Sequence, residues 1–199
     1  MYNKSQNPQV LYSLPQLTRG LFYYLQHKPL HEITVTQICE QAGLTRRTFY
    51  RNCQKKEDLI LYACDHLIDQ LLADVDYSST DAHAMYHNFF CFWYKHRVFL
   101  RSIYQSGLYN LFADRFVSVC NQRTRFPLLD EALQMQPKPE TARHFNNAFL
   151  LGGLTSMLYA WAEEDFQSTP ENLVHSVLFL VPQEFQTEGE YYDDMPTGT

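Results

Sequence analysis

Gly43 narrows what this chain can fold into more than any other residue. It closes an apolar run at helical spacing, Val35, Ile38, Cys39 and Ala42, and is followed at once by Leu44 and Thr45. Glycine adopts the left-handed backbone that a sharp reversal needs, and Leu44 behind it can point back into a core. Upstream, Thr34 and Gln37 have the spacing of a capping box, and Thr45 can cap a second helix. The stretch QICEQAGLTRRTFYRN therefore reads as helix, tight turn, helix.

The second of these helices has few apolar anchors, Phe49 and one turn later Cys53, while Arg46, Arg47, Thr48, Tyr50 and Arg51 cover the rest. A short basic helix docked by one aromatic residue is shaped to enter the major groove of DNA, whose base edges present acceptors that arginine reaches. Taken alone, such a helix could equally be a solvated basic surface. The distribution of charge weighs against that. The whole chain is at −6, yet residues 1–56 hold eight basic and two acidic groups, a net of +6, and the remainder holds eight basic and twenty acidic, a net of −12. A phosphate-binding head on an acidic body fits this asymmetry.

Seven glycines and nine prolines punctuate 199 residues, and sustained period-two alternation is absent, so the chain is expected to be all-α. The first stripe is Leu17, Leu21, Tyr24 and Leu25, with Ser13 as its cap, Pro15 in its first turn and its end near Lys28-Pro29. A long helix from Glu57 carries Leu59, Ile60, Ala63, Leu67 and Leu71 to a polar break at residues 76–80. Further helices are expected at about 81–95, 97–105, 108–125 and 140–163, with a link through Pro137 and Pro139, and another follows Thr169-Pro170-Glu171 to about Val181. The organisation expected is a helix-turn-helix head at 1–56, a helical body at 57–182 and an acidic, frayed tail at 183–199.

The segment KPLHEITVTQICEQAGLTRRTFYRNCQKKEDLIL resembles the DNA-binding signature of the TetR family of transcriptional regulators. The likeness lies in the Thr-led second helix, the A-G-L-T turn, the T-F-Y recognition helix and the Lys-Glu-x-Leu opening of a long fourth helix, over about residues 14–62. It implies a three-helix head and an antiparallel helical body that dimerises and senses an effector. Residue by residue, it implies Thr36 and Thr45 near the DNA backbone, Arg46, Arg47 and Thr48 toward base edges, Tyr50 and Lys56 on phosphates, and Arg51 in a lesser role. Cys53 stands where the family commonly has an aromatic residue, so looser packing of the recognition helix is expected.

The last two helices, FLLGGLTSMLYAWAEED and STPENLVHSVLFLV, resemble the dimerisation helices of TetR-like proteins. Gly152 and Gly153 permit close approach, and Gly153, Leu154, Met157, Trp161, Leu173 and Val177 are the expected homodimer seam, with the protomer's own core as the alternative. The middle helices are rich in aromatics. The resemblance implies a ligand pocket there, with Tyr62, His66, Tyr86, Phe90, Tyr104, Phe112 and Phe116 as its expected lining and a small aromatic or apolar effector as its ligand. A repressor released by that effector is the function implied; control by a protein partner, with activation, is the alternative.

His83, His87 and Cys91 fall at i, i+4 and i+8, a row on one helical face that metal ligands could share, but without a fourth donor at matching spacing they are taken as ordinary surface or core residues and no metal is assigned. The five cysteines stand apart without a C-x-x-C pair, as reduced core thiols do. No G-x-S-x-G elbow, G-x-x-x-x-G-K loop or H-E-x-x-H helix is present, so neither an enzyme nor a cofactor is expected. No apolar run approaches the roughly 20 residues of a membrane span. A cytoplasmic protein that binds double-stranded operator DNA is the expectation.

Overall fold

A computed structural model describes residues 1–74, 81–123 and 139–179. Its regular elements are helical throughout the described residues: α1 (Pro8–Leu25), α2 (Val35–Ala42), α3 (Arg46–Asn52), α4 (Glu57–Asp74), α5 (Ala82–Lys95), α6 (Arg97–Gln105), α7 (Tyr109–Arg123), α8 (Pro139–Glu163) and α9 (Pro170–Leu178), with a single 3-10 turn at Leu30–Glu32. The expected break at 76–80, the Pro137 link and the tail at 183–199 lie outside the described residues.

The first helix starts earlier than expected. Asn7, rather than Ser13, caps it by accepting from the Gln9 N–H at 2.9 Å, and Pro8 sits in the first turn, where its missing donor is harmless. Pro15 is thereby an interior residue, and Ser13 is buried with its hydroxyl donating to the Gln9 carbonyl. Extending the helix upstream buries Val10 and Leu14. At about 1.5–3 kcal/mol per large apolar side chain, that burial offsets the roughly 3 kcal/mol cost of an interior proline.

Helix α1 then packs across α2, α3 and α4, with Leu17, Leu21, Ile33, Ile38, Phe49, Leu59 and Ile60 buried among them. The α1–α2 crossing is close. A Cβ at Gly20 would stand 2.6 Å from the Ile38 carbonyl oxygen, so a larger residue there would push the two helices apart.

The body continues the same core. Phe22 of α1 meets Phe99 of α6 at 5.2 Å between ring centroids, and the buried apolar residues of head and body form one cluster. The change at residue 56 is therefore a change of element and not a gap in packing. In the body α4 lies against α7, α7 and α6 against α8, and α5 against α9. Trp93 meets Phe112 and Phe116 edge to face at its centre, with Trp93 and Phe112 5.1 Å apart, and Phe112 is tilted against Phe116. Between α8 and α9 the backbone turns through Asp165 and Phe166, both with positive φ. The Trp161 indole donating to the Ser168 carbonyl at 2.9 Å and the Arg101 guanidinium on Asp165 hold this turn.

Helix α4 is tied to α7 by an ion pair. Arg115 forks onto the Asp65 carboxylate, with Nη2 at 2.7 Å from Oδ2, while the Tyr2 hydroxyl also donates to it and the Lys4 ammonium lies 3.5 Å away. Burial disfavours the charged form of Asp65, but the hydrogen bonds from Arg115 and Tyr2 and the nearby positive charges outweigh it and hold the carboxyl below the ordinary carboxylate range. A carboxyl depressed in the folded state stabilises the fold above its unfolded value of about 4, and that contribution is lost as pH falls through the folded value. Asp65→Asn is accordingly expected to lower Tm at neutral pH, with the gap to wild type narrowing below about pH 4. Thermal melts from neutral to acid pH check this; a constant gap would contradict it.

Candidate nucleic-acid interface

The turn chemistry that sets the interface is complete. Thr34 accepts from the Gln37 N–H at 3.2 Å while Gln37 Oε1 accepts from the Thr34 N–H at 3.0 Å, closing the capping box that starts α2. Gly43 takes φ 64°. The Leu44 N–H reaches back to the Cys39 carbonyl at 2.9 Å and the Gly43 N–H to Glu40 at 3.1 Å, the paired bonds of a Schellman ending. Thr45 Oγ1 accepts from the Thr48 N–H at 3.2 Å and lies 3.0 Å from Thr48 Oγ1, so α3 leaves the turn at a fixed angle.

Phe49 is fully buried under α3, and Asn52 is buried at its end with Nδ2 donating to the Thr48 carbonyl at 2.8 Å. The opposite side is open. Arg46, Arg47, Tyr50 and Arg51 are exposed, as are Thr45 and, on α2, Thr36, while Thr48 is half-buried beside the Thr45 hydroxyl. These residues lie on the first turns of α2 and along α3. Arg51 Nη1 donates to Gln9 Oε1 at 3.1 Å, which props its guanidinium against α1. Gln9 lies upstream of the expected start of α1, so the sequence pattern does not point to it.

Lys56 is placed differently from the others. Its ammonium donates to the Leu30 carbonyl at 2.7 Å and also to that of Ile33, fastening the start of α4 to the segment that leads into α2. It is half-buried, whereas the neighbouring Lys55, absent from the expected DNA-binding set, is exposed. The looser packing expected at Cys53 is not what the structure shows. Cys53 is 2% exposed, its N–H bonds the Phe49 carbonyl at 2.8 Å, and the N-terminal segment lies alongside, with the Asn3 N–H on the Asn52 carbonyl at 2.7 Å and Tyr2 packed on Tyr62 at 5.4 Å. Burial, with the Asp58 carboxylate second, pushes the Cys53 thiol up to about 12, so it is a neutral core group.

The expected pocket residues do not converge. Tyr86, Phe90, Phe112 and Phe116 are buried in the aromatic core, Tyr62 lies beneath Tyr2, exposed His66 stacks on Tyr62, and Tyr104 packs edge-on against Tyr159. The expected dimer seam also divides. Leu154, Trp161, Leu173 and Val177 are buried within the protomer and Met157 half so, because their face of α8 and α9 is the one that meets α5, α6 and α7; Gly153 alone of the set is exposed. The outer face of α8 carries instead Phe145 at 64% and Phe149 at 82% exposure, followed by Gly153. The spacing that places Phe145 and Phe149 on one face is present in the sequence, one helical turn upstream of the expected seam.

Residues 80–183, just over half of the chain, match a TetR family described as a transcriptional regulator C-terminal region. Among solved structures, the chain is similar to the dihydroxyacetone kinase operon activator DhaS, with a TM-score of 0.61 over 88% of this chain and 97% of that one, at 13% identity. That is a likeness of fold. No curated protein sequence matches the chain.

Proposed function

Because the chain belongs to the TetR-type transcriptional regulators, we propose that it binds operator DNA as a two-fold dimer, with α3 in the major groove and a helical body that receives the signal. The observation that carries this reading is the α3 face: a helix fixed by Phe49 beneath and by Thr45 at its start, presenting Arg46, Arg47, Tyr50 and Arg51 outward on a head of net charge +6. Arginine forks suit guanine edges, and the threonines at the helix starts suit phosphate. Lys55 takes the phosphate role that Lys56 cannot fill while its ammonium donates inward.

The seam of the dimer is the outer face of α8. That helix is apolar on two sides, and among the described residues only the inner side is packed. Phe145 and Phe149 precede a stretch where no other element among the described residues lies within 4 Å of a Cβ built at Gly152 or Gly153, so a second copy related by a two-fold axis can bring its own α8 close and cover both phenylalanines.

For the signal, a small apolar or aromatic effector carrying a hydrogen-bond acceptor is supported by Trp93, whose indole Nε1 is buried and meets no acceptor among the described residues. A buried donor without a partner costs about 1–3 kcal/mol, which a ligand oxygen would recover. Binding of such a ligand that releases the operator makes the protein a repressor. The packing of Phe112 on Phe116 and of Phe90 on Trp161, all buried, favours a second reading, control by a protein partner on a closed core. DhaS, similar in fold, is itself an operon activator, and activation accompanies that second reading.

Replacing Arg46 and Arg47 together by Ala is expected to flatten discrimination between operator and unrelated DNA, by about 1–3 kcal/mol for each base edge that is no longer read. Lys56→Met should act otherwise. It removes two hydrogen bonds from a charged donor, each worth roughly 1.5–3 kcal/mol, and so lowers Tm while leaving the salt dependence of DNA binding by the folded protein unchanged. Fluorescence anisotropy with specific and scrambled duplexes, beside thermal melts, separates the two; a double arginine variant that discriminates like wild type would remove α3 from the interface. Phe149→Arg is expected to convert dimer to monomer in sedimentation velocity and to weaken operator binding, since it sets a charge in a desolvated seam. An unchanged dimer would move the seam away from α8.

A further inference from the structure

We propose that His83 and His87 of α5, with Glu171 and His175 of α9, form a binding site for a divalent transition-metal ion of the zinc class. The sequence shows only the first row. Folding brings a second i, i+4 pair, Glu171 and His175, against it from a different helix, and this supplies the missing donors. His83 Nε2 lies 3.1 Å and His175 Nε2 3.3 Å from the same carboxylate oxygen, Glu171 Oε1, and His87 Nε2 lies 3.9 Å from Oε2. Donor atoms around a tetrahedral zinc, at bond lengths of about 2.0–2.2 Å, stand about 3.3 Å from one another. Two of the three nitrogen-to-carboxylate separations already match that edge.

The ligand chemistry suits zinc, nickel or copper rather than calcium or magnesium, because imidazole nitrogen is the majority donor. Cys91 adjoins the group from a half-buried position, with Sγ 3.6 Å from His87 Nε2, while the three imidazoles and the Glu171 carboxylate form the exposed set. Among the described residues no group of three such side chains stands ready to hold an ion as it is. The rings of His83 and His87 are near parallel at 6.1 Å, with His83 hydrogen-bonded to Glu171 and His87 3.9 Å from it, instead of closing around a centre. Binding therefore requires rotation of the imidazoles. All four side chains are 44% or more exposed, and so have room to turn on helices that are already packed together. A bound ion would join the two helices more firmly than the single His83–Glu171 hydrogen bond does. The site is remote in sequence from α3 and does not depend on the operator reading.

The test is calorimetric titration of Zn2+, and separately Ni2+, into the full chain at about pH 7.5, with a phosphine reductant protecting the five free cysteines. One ion per chain is expected, with a rise in Tm on loading. His83→Ala, His175→Ala and Glu171→Gln should each weaken binding by about tenfold or more and abolish that rise, whereas His144→Ala should change neither. These are surface positions, and circular dichroism verifies that the variants fold. Absence of binding, or binding that all three variants retain at wild-type strength, would overturn the proposal.

Discussion

The burial of Phe49 is the interaction on which the proposed interface rests. A helix of seven residues is too short to persist in water by its own hydrogen bonds, and α3 has exposed polar residues on most of its surface. Its position comes from one aromatic ring wholly inside the head, from the Thr45 cap at one end, and from Asn52 and Cys53 buried at the other. The surroundings of that ring are equally determined. Gly20 lets α1 cross α2 at a distance no larger residue allows, and the Lys56 ammonium draws the segment before α2 onto the start of α4. Arg46 and Arg47 are thus displayed by a frame built from other residues, and Tyr50 packs edge-on against Phe49 while remaining exposed.

The same frame connects head to body without a flexible joint. Helix α4 contributes to both, Phe22 and Phe99 join α1 to α6, and the Asp65–Arg115 fork joins α4 to α7 while the N-terminal residues Tyr2 and Asn3 bridge α4 and the end of α3. A signal received in the body can change the spacing of two heads only if it binds the two arrangements with different affinity, typically by about 1–3 kcal/mol. The Asp65–Arg115 fork ties α4 to α7 on that route.

Much of the head was legible because its signals are local. The capping box at Thr34, the left-handed Gly43 and the Thr45 cap each depend on residues within a few positions, and all appear as the spacing implied. Pro15 misled because its usual place in a first turn competed with the burial of Val10 and Leu14, a tertiary gain that local preference does not contain. The Lys56 contacts were not legible for a related reason: the carbonyl oxygens of Leu30 and Ile33 that accept from its ammonium are more than twenty residues away. In the body, apolar spacing identified helices but not which side of α8 faces inward. Leu154 and Trp161 are no more apolar than Phe145 and Phe149, and only the packing against α6 and α7 sorts them. Glu171 and His175 were invisible as partners of His83 and His87 because the turn through Asp165 and Phe166 sets where α9 returns.

The central claim, that the exposed face of α3 reads DNA sequence from a two-fold assembly, is tested most directly by selecting fragments of the source genome for binding to the full chain and sequencing those retained. An enriched inverted repeat, its half-sites spaced by about one helical turn or a multiple of it, is the expected result. Retention of fragments without a shared motif, or of a motif lacking two-fold symmetry, would contradict it.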